Sequence, residues 1–488
     1  MKRKLSLLLA LLMLAGTAVS CASENPESGN EAEVAAEPAA EETVPEVEEE
    51  VEKPFLDNLP DDLNFGGTDF NMLFRSSREA DMFAEELTGE IVTDAVYERT
   101  VKLEDRLGVT FRHMLLPDDS GQWRAAISGS VSASDGAYDV VCPDYWWGIE
   151  NGGYYINLMA LPYLDFSQPY WCAGWNNNDM FFGKLYTAVG SWSLDMIVNT
   201  EAVFFNKKLL GDYALEDPYE LVKENRWTAD QMISMSETAL LDVNGDGKFD
   251  PNNDTYGLIY NLHGGRGLMY AMGMKLAYQT EDGSWSVDYF NDHFVEIYEK
   301  MYNIHNNTAS VAYGSNVDMN GRFASDNLLF LVNNVGSARG TELREMDSDF
   351  GLVPYPKYDE NQEDFISFNL GTAYAAVLKS AKNPEMSAAV LEALCAENHK
   401  SVVPALYEDA LKEKYARDPK TAEMLDLIQS TLYFDFTFVN DAALGALCNL
   451  YFDSVVSKSE NVSSIAEKNK KPKEKMLAKL LESYENAE

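Results

Sequence analysis

Short apolar runs of strand length alternate with stretches of helical spacing along the body of this chain, and that alternation admits few folds. Residues 70–74 form an apolar run after the Gly66-Gly67 turn, residues 94–107 carry apolar side chains at helical spacing, and residues 109–116 return to a strand pattern. Residues 138–142 make a further strand, introduced by the Asp135-Gly136 turn. Strand, helix and strand in this order predict an α/β fold with a mainly parallel sheet and helices on its faces. Ligands of such sheets sit outside the carboxyl ends of the strands, so the loops beginning at Arg75 and Pro143 are where a site is expected.

The chain's 488 residues include a basic start, Lys2, Arg3 and Lys4, followed by an apolar run over residues 5–15, the pattern of a secretory signal. The run is far short of the roughly 20 apolar residues that cross a bilayer as a helix, and no later stretch supplies them. Ala18, Val19, Ser20 and Cys21 resemble a bacterial lipobox, which predicts cleavage before Cys21 and its lipidation; Ala18 stands where Leu is usual. Ordinary cleavage and release is the alternative. Residues 22–55 are rich in Glu, Ala, Val and Pro, nearly without aromatic residues, and cannot build a core. They read as a disordered acidic linker, a tether or a solubilising tail.

A body of about 430 residues is long enough for two domains. The net charge of −42 excludes a nucleic-acid partner, whose phosphates demand a basic face, and direct docking on anionic lipid. Neutral or cationic ligands fit that charge better than polyanions. Cys142, Cys172, Cys395 and Cys448 lack metal-cluster spacing, and a Cys142–Cys172 disulfide stays open. The five histidines share no metal-ligand spacing, and no nucleophile elbow appears; His263-Gly264-Gly265-Arg266-Gly267 reads as a flexible turn.

Five of the eight tryptophans fall between positions 146 and 192. Flat aromatic faces pair with the apolar faces of sugar rings, and equally with core neighbours. Trp146, Trp147, Trp175 and Trp192 are the expected stacking platforms, with Arg75 and Asp144 as hydrogen-bonding partners for hydroxyls. Adjacent Trp146 and Trp147 cannot point the same way on an extended chain, so one should pack and the other face the ligand.

Thr228 and Gln231 have capping-box spacing, which starts a helix running to about residue 241. Beyond it, Asp242, Asn244, Asp246, Lys248 and Asp250 occupy positions one, three, five, seven and nine of an EF-hand-like loop, with Gly247 at six. Asn253 replaces the bidentate Glu at twelve, and a strand follows at once. The expectation is a structural calcium site held by Asp242, Asn244, Asp246, the Lys248 carbonyl and Asp250 or Asp254.

Several segments then resemble one family. They are Gly89-Glu90 with Asp94-Ala95-Val96-Tyr97-Glu98-Arg99, Val203-Phe204-Phe205-Asn206-Lys207, the acidic loop, residues 349–360, Val403-Pro404-Ala405-Leu406-Tyr407-Glu408 and Met424-Leu425-Asp426. In this order, over nearly the whole body, the chain looks like a family 1 extracellular solute-binding protein, the sugar-binding class of ABC importers, in its calcium-loop-bearing Gram-positive branch. The resemblance implies a two-lobed, type II periplasmic-binding-protein-like fold with the ligand in the cleft. Residues 56–190 and 350–380 would form lobe 1, and 191–349 and 381–488 lobe 2. Crossings are expected near 187–194, 351–357 and 379–383. It also implies a monomeric, non-enzymatic receptor on the extracellular face of the cell membrane that passes a carbohydrate to permease subunits. A surface enzyme acting on polysaccharide, with its carboxylates hidden among the acidic residues, and a receptor for a non-sugar such as a peptide stay open, because a fold does not fix a ligand.

Overall fold

A computed structural model describes residues 55–486 except 150–152, 282, 315, 370 and 413–418. The signal, Cys21 and nearly all of the acidic linker lie outside the described residues. Among the described residues no helix is long and apolar enough to cross a membrane.

The strands are β1 (Thr68–Arg75), β2 (Val109–Leu116), β3 (Val140–Val141), β4 (Glu201–Asn206), β5 (Tyr256–Tyr260), β6 (Tyr278–Gln279), β7 (Trp285–Ser286), β8 (Val311–Tyr313), β9 (Leu328–Asn334), β10 (Phe350–Val353), β11 (Ser367–Phe368), β12 (Ala376–Val377) and β13 (Leu432–Tyr433). They form two main sheets, of order β12-β3-β1-β2 and β10-β4-β9-β5-β8. The predicted βαβ unit is present: β1 pairs with β2 in parallel from Thr68↔Val109 to Arg75↔Leu116, and helix Ile91–Leu107 connects them. That helix ends at Gly108 in the left-handed region (φ 59°), where a Cβ would collide with the Asn64 side chain. It buries Val92, Val96, Leu103 and Leu107. Each fully buried aliphatic side chain contributes about 1.5–3 kcal/mol of transfer free energy, so this face fixes the helix on its sheet.

Among the described residues, a pair of segments running side by side joins the sheets. The outward chain bridges Ala188 to Ala375 and Thr200 to Asn369, both antiparallel, so residues 188–200 run beside the returning residues 369–375. The outward crossing lies where it was expected. The return does not: β10, placed in lobe 1 from the sequence, pairs antiparallel with β4 in the five-stranded sheet, and the chain comes back over residues 369–377 into β12, beside β3. Helix Pro384–Glu397, expected in lobe 2, packs on β12 and on helix Ile91–Leu107, and Val403–Lys412 packs on the same helix. The physical reason is that both faces of 384–397 are buried, which a central position against the first sheet satisfies. Later helices, Pro419–Ser430 on β10 and Leu447–Val456 on helix Asp292–Asn307, complete the second half. Helix Val462–Glu485 contacts β7 and buries Leu477, Leu480 and Tyr484.

Cys142, Cys172, Cys395 and Cys448 are free, buried thiols, so the Cys142–Cys172 disulfide is not formed.

Candidate functional site

The carboxyl ends of β1 and β3 deliver Arg75 and the turn Tyr145–Trp147. The carboxyl end of β5 delivers helix Leu262–Ala271, capped by the Asn261 side chain, which accepts the Gly264 amide at 2.9 Å. Trp146 is where the two sides meet. Its ring centroid lies 5.2 Å from Phe438 and 6.4 Å from His263, and the Arg266 guanidinium carbon stands 5.4 Å from it, within cation–π range. The Asp144 side chain caps the turn by accepting the Trp146 amide at 3.1 Å, which aims the ring. Trp147 turns the other way, onto the fully buried Trp123 at 5.4 Å. Arg124 holds its carbonyl. Both rings of the adjacent pair are half-buried and pack against the core, Trp147 on Trp123 and Trp146 on Tyr145 and Phe438, while Trp146 also reaches His263 and Arg266 after β5.

Arg75 and Asp144 are brought together, but not as expected. Arg75 pairs with Asp144 at 2.8 Å and with Asp195 at 3.1 Å, and all three are buried. Asp195 also accepts the Ala373 amide at 3.2 Å and the Asn199 amide group at 3.2 Å, and stands 3.6 Å from Arg78. Burial pushes the Asp144 carboxyl up to about 6, against the pull of Arg75. Burial alone would depress Arg75, yet Asp195 and Asp144 outweigh it and raise it. These groups are committed to one another: they tie β1 and the Asp144 turn to both crossing segments rather than presenting free donors to a ligand.

Trp175 and Trp192 are 1 % exposed and are core side chains. Trp175 packs edge-on to Phe434 and Tyr145, and Trp192 lies in the apolar cluster beneath the first sheet. Neither is a platform. Their aromatic neighbours in sequence gave no means of separating core from cleft, because both uses require the same residue type.

The segment 263–267, read as a flexible turn, is part of a buried helix. A Cβ on Gly264 would come within 2.8 Å of Val332, and one on Gly265 or Gly267 would strike the rings of Phe452 or Tyr355, so these glycines serve close packing. His263 and Arg266 thereby become site residues that sequence reasoning missed. Their signal was topological: they follow a strand's carboxyl end, as Arg75 does. Burial, then Arg266, depresses His263 to about 4, so it is neutral at pH 7. The neighbouring strand ends add half-buried Tyr313 and Asn333, the latter donating to Asn320 at 3.0 Å.

The acidic loop follows helix Ala229–Ala239, whose cap Thr228 accepts the Gln231 amide as predicted. Asp242 accepts the Gly245 and Gly247 amides, Asn244 that of Asp246, and Asp246 that of Lys248. Asp254 clamps the loop ends through the Val243 and Asp250 amides, both at 2.9 Å. The donor chemistry is that of a hard cation's loop. However, among the described residues no three acidic, His or Cys side chains converge as a metal centre.

No family model and no curated protein matches the chain. Solved structures do match in fold. The sugar-binding protein MalE from the phytopathogen Xanthomonas citri superposes with a TM-score of 0.57 at 14% identity, covering 86% of this chain and 100% of that one. A cyclo/maltodextrin-binding protein complexed with maltotetraose gives 0.56 at 12% identity, over 85% and 97%. The GacH receptor of Streptomyces glaucescens GLA.O, solved unliganded and in complex with acarbose and an acarbose homolog, gives 0.55 at 14%, over 84% and 99%. The fold is thus the two-lobed, periplasmic-binding-protein type.

Proposed function

We propose that this chain is a solute-binding lipoprotein that captures a carbohydrate at the extracellular face of the membrane and delivers it to an ABC transporter permease. The observation that carries the reading is the placement of Trp146 between the carboxyl ends of two sheets joined by paired crossings. That is the geometry of a hinged cleft, and an aromatic face within it suits a sugar ring. The acarbose and maltotetraose complexes of proteins sharing the fold support it. Cleavage before Cys21 and its acylation would anchor the chain by buried methylenes, each adding about 0.8 kcal/mol. The acidic linker would then carry a monomeric receptor clear of the surface. Calcium would bind Asp242, Asn244, Asp246, the Lys248 carbonyl and Asp250 or Asp254, the last of which also braces the loop ends through two amides.

The test is a thermal-shift screen of the mature chain against mono- and oligosaccharides, peptides and amino acids. A ligand at 100 times its dissociation constant adds about 2.7 kcal/mol of stability. The expected result is a rise confined to related glycans that are recovered unchanged; a response to peptides alone, or release of new reducing ends, would refute the assignment. Chelation in the same assay should lower the midpoint, and an unchanged midpoint rejects the calcium site. Trp146→Ala is expected to weaken glycan binding by about 1–3 kcal/mol with little loss of stability, since its ring is only half-buried.

A further inference from the structure

We propose that the cleft recognises a sugar bearing a single carboxylate, as in a uronic acid, and that Arg266 is the residue that binds it. This rests on the reading of the cleft as a carbohydrate site and narrows its substrate class.

Arg266 is 7 % exposed, yet among the described residues it forms no ion pair and no hydrogen bond, and its Nε is buried without a partner. A buried cation left unpaired costs several kcal/mol, a cost proteins accept where a ligand supplies the counter-charge. Its guanidinium lies against Trp146, the ring that faces the junction between the sheets. One turn earlier, His263 Nδ1 is likewise buried without a partner. A planar guanidinium matches a carboxylate in two parallel hydrogen bonds, and a neutral imidazole beside it adds one more polar contact. The acid nearest to competing is Asp441, whose charge Arg266 feels. Its carboxyl instead accepts the Cys448 thiol at 2.9 Å and makes no ion pair with Arg266. One carboxylate is also what the chain's charge permits: at −42 it repels a polyanion at a distance, whereas a single charge is outweighed by one desolvated contact.

The test titrates the full mature protein calorimetrically with glucuronate- and galacturonate-containing oligosaccharides, their neutral glucose and galactose counterparts, and a sulfated counterpart. The wild type is expected to bind a uronate form at least about tenfold more tightly than its neutral counterpart, a difference of about 1.4 kcal/mol. Arg266→Gln should abolish that preference, so that the uronate and neutral forms bind with equal affinity. Arg266→Met should hold or raise the ligand-free melting midpoint, because it removes an unpaired charge. Neutral sugars binding as well as uronates, a sulfated sugar binding best, or a preference that survives Arg266→Gln would each overturn the assignment and leave the carbohydrate reading intact. A large fall in the Arg266→Met midpoint would likewise overturn it by making Arg266 structural. Silence toward every glycan would sink both readings together.

Discussion

Asp195→Ala is expected to lower the unfolding free energy by about 3–5 kcal/mol, because it takes one of two carboxylates from the buried Arg75 and breaks a buried network. Asp195 is 3 % exposed and faces Arg75 at 3.1 Å, while Arg78 approaches to 3.6 Å and the Ala373 amide donates to it at 3.2 Å. Removing the carboxylate leaves the buried Arg75 with Asp144 alone and frees an amide of the returning crossing. Its partners come from β1, the outward crossing and the return, so the loss falls on the point where the chain passes between sheets. Urea unfolding of the wild type and the variant measures it directly. A loss below about 1 kcal/mol would mean that the cluster behaves like a solvated surface pair. Asp195→Asn should fall between, since it keeps an acceptor for Ala373 but loses the charge.

The same cluster shows how far the sequence could be read. Arg75 and Asp144 were selected because they follow strands at their carboxyl ends, and that topological inference places them correctly. What it could not supply was the partner: Asp195 lies 120 residues from Arg75 in sequence, and no local pattern announces that pairing. The helical capping by Thr228, the loop after it and the β1–helix–β2 unit were legible because each is set by side chains within a few residues. The return crossing was misplaced because β10 is an apolar run that suits either sheet, and only its pairing with β4 decides. Arg266 was hidden by its glycines, whose use in close packing depends on Val332, Tyr355 and Phe452, all distant in sequence.

Stability is expected to fall as pH rises from 6.5 to 8, above the range in which the depressed His113 and His263 act in the opposite sense. Burial lifts Asp179 to about 7, opposed by its hydrogen bonds from Thr187 and Tyr484, and lifts Glu392 to about 7, opposed by Tyr170 and Trp171. Glu201 is raised furthest, to about 8; its surroundings offer only Tyr355, and its Oε2 has no partner. The ordinary values for these carboxyls are 3.8 and 4.5, so between those values and the folded ones the native state holds protons that the unfolded chain has released. The stabilisation is complete below the unfolded values and is lost as pH climbs through 7 to 8. Each group costs about 1.4 kcal/mol per pH unit within its window. Repulsion among surface carboxylates adds a trend of the same sign, so the wild-type profile alone cannot assign it. Glu201→Gln can, because the amide has the same shape, still meets Tyr355 and never ionises. The variant should match the wild type near pH 5 and exceed it at pH 8, flattening the upper part of the profile. Parallel wild-type and variant profiles from pH 5 to 8 would show that Glu201 ionises freely in the fold, and the burial argument for it would fail.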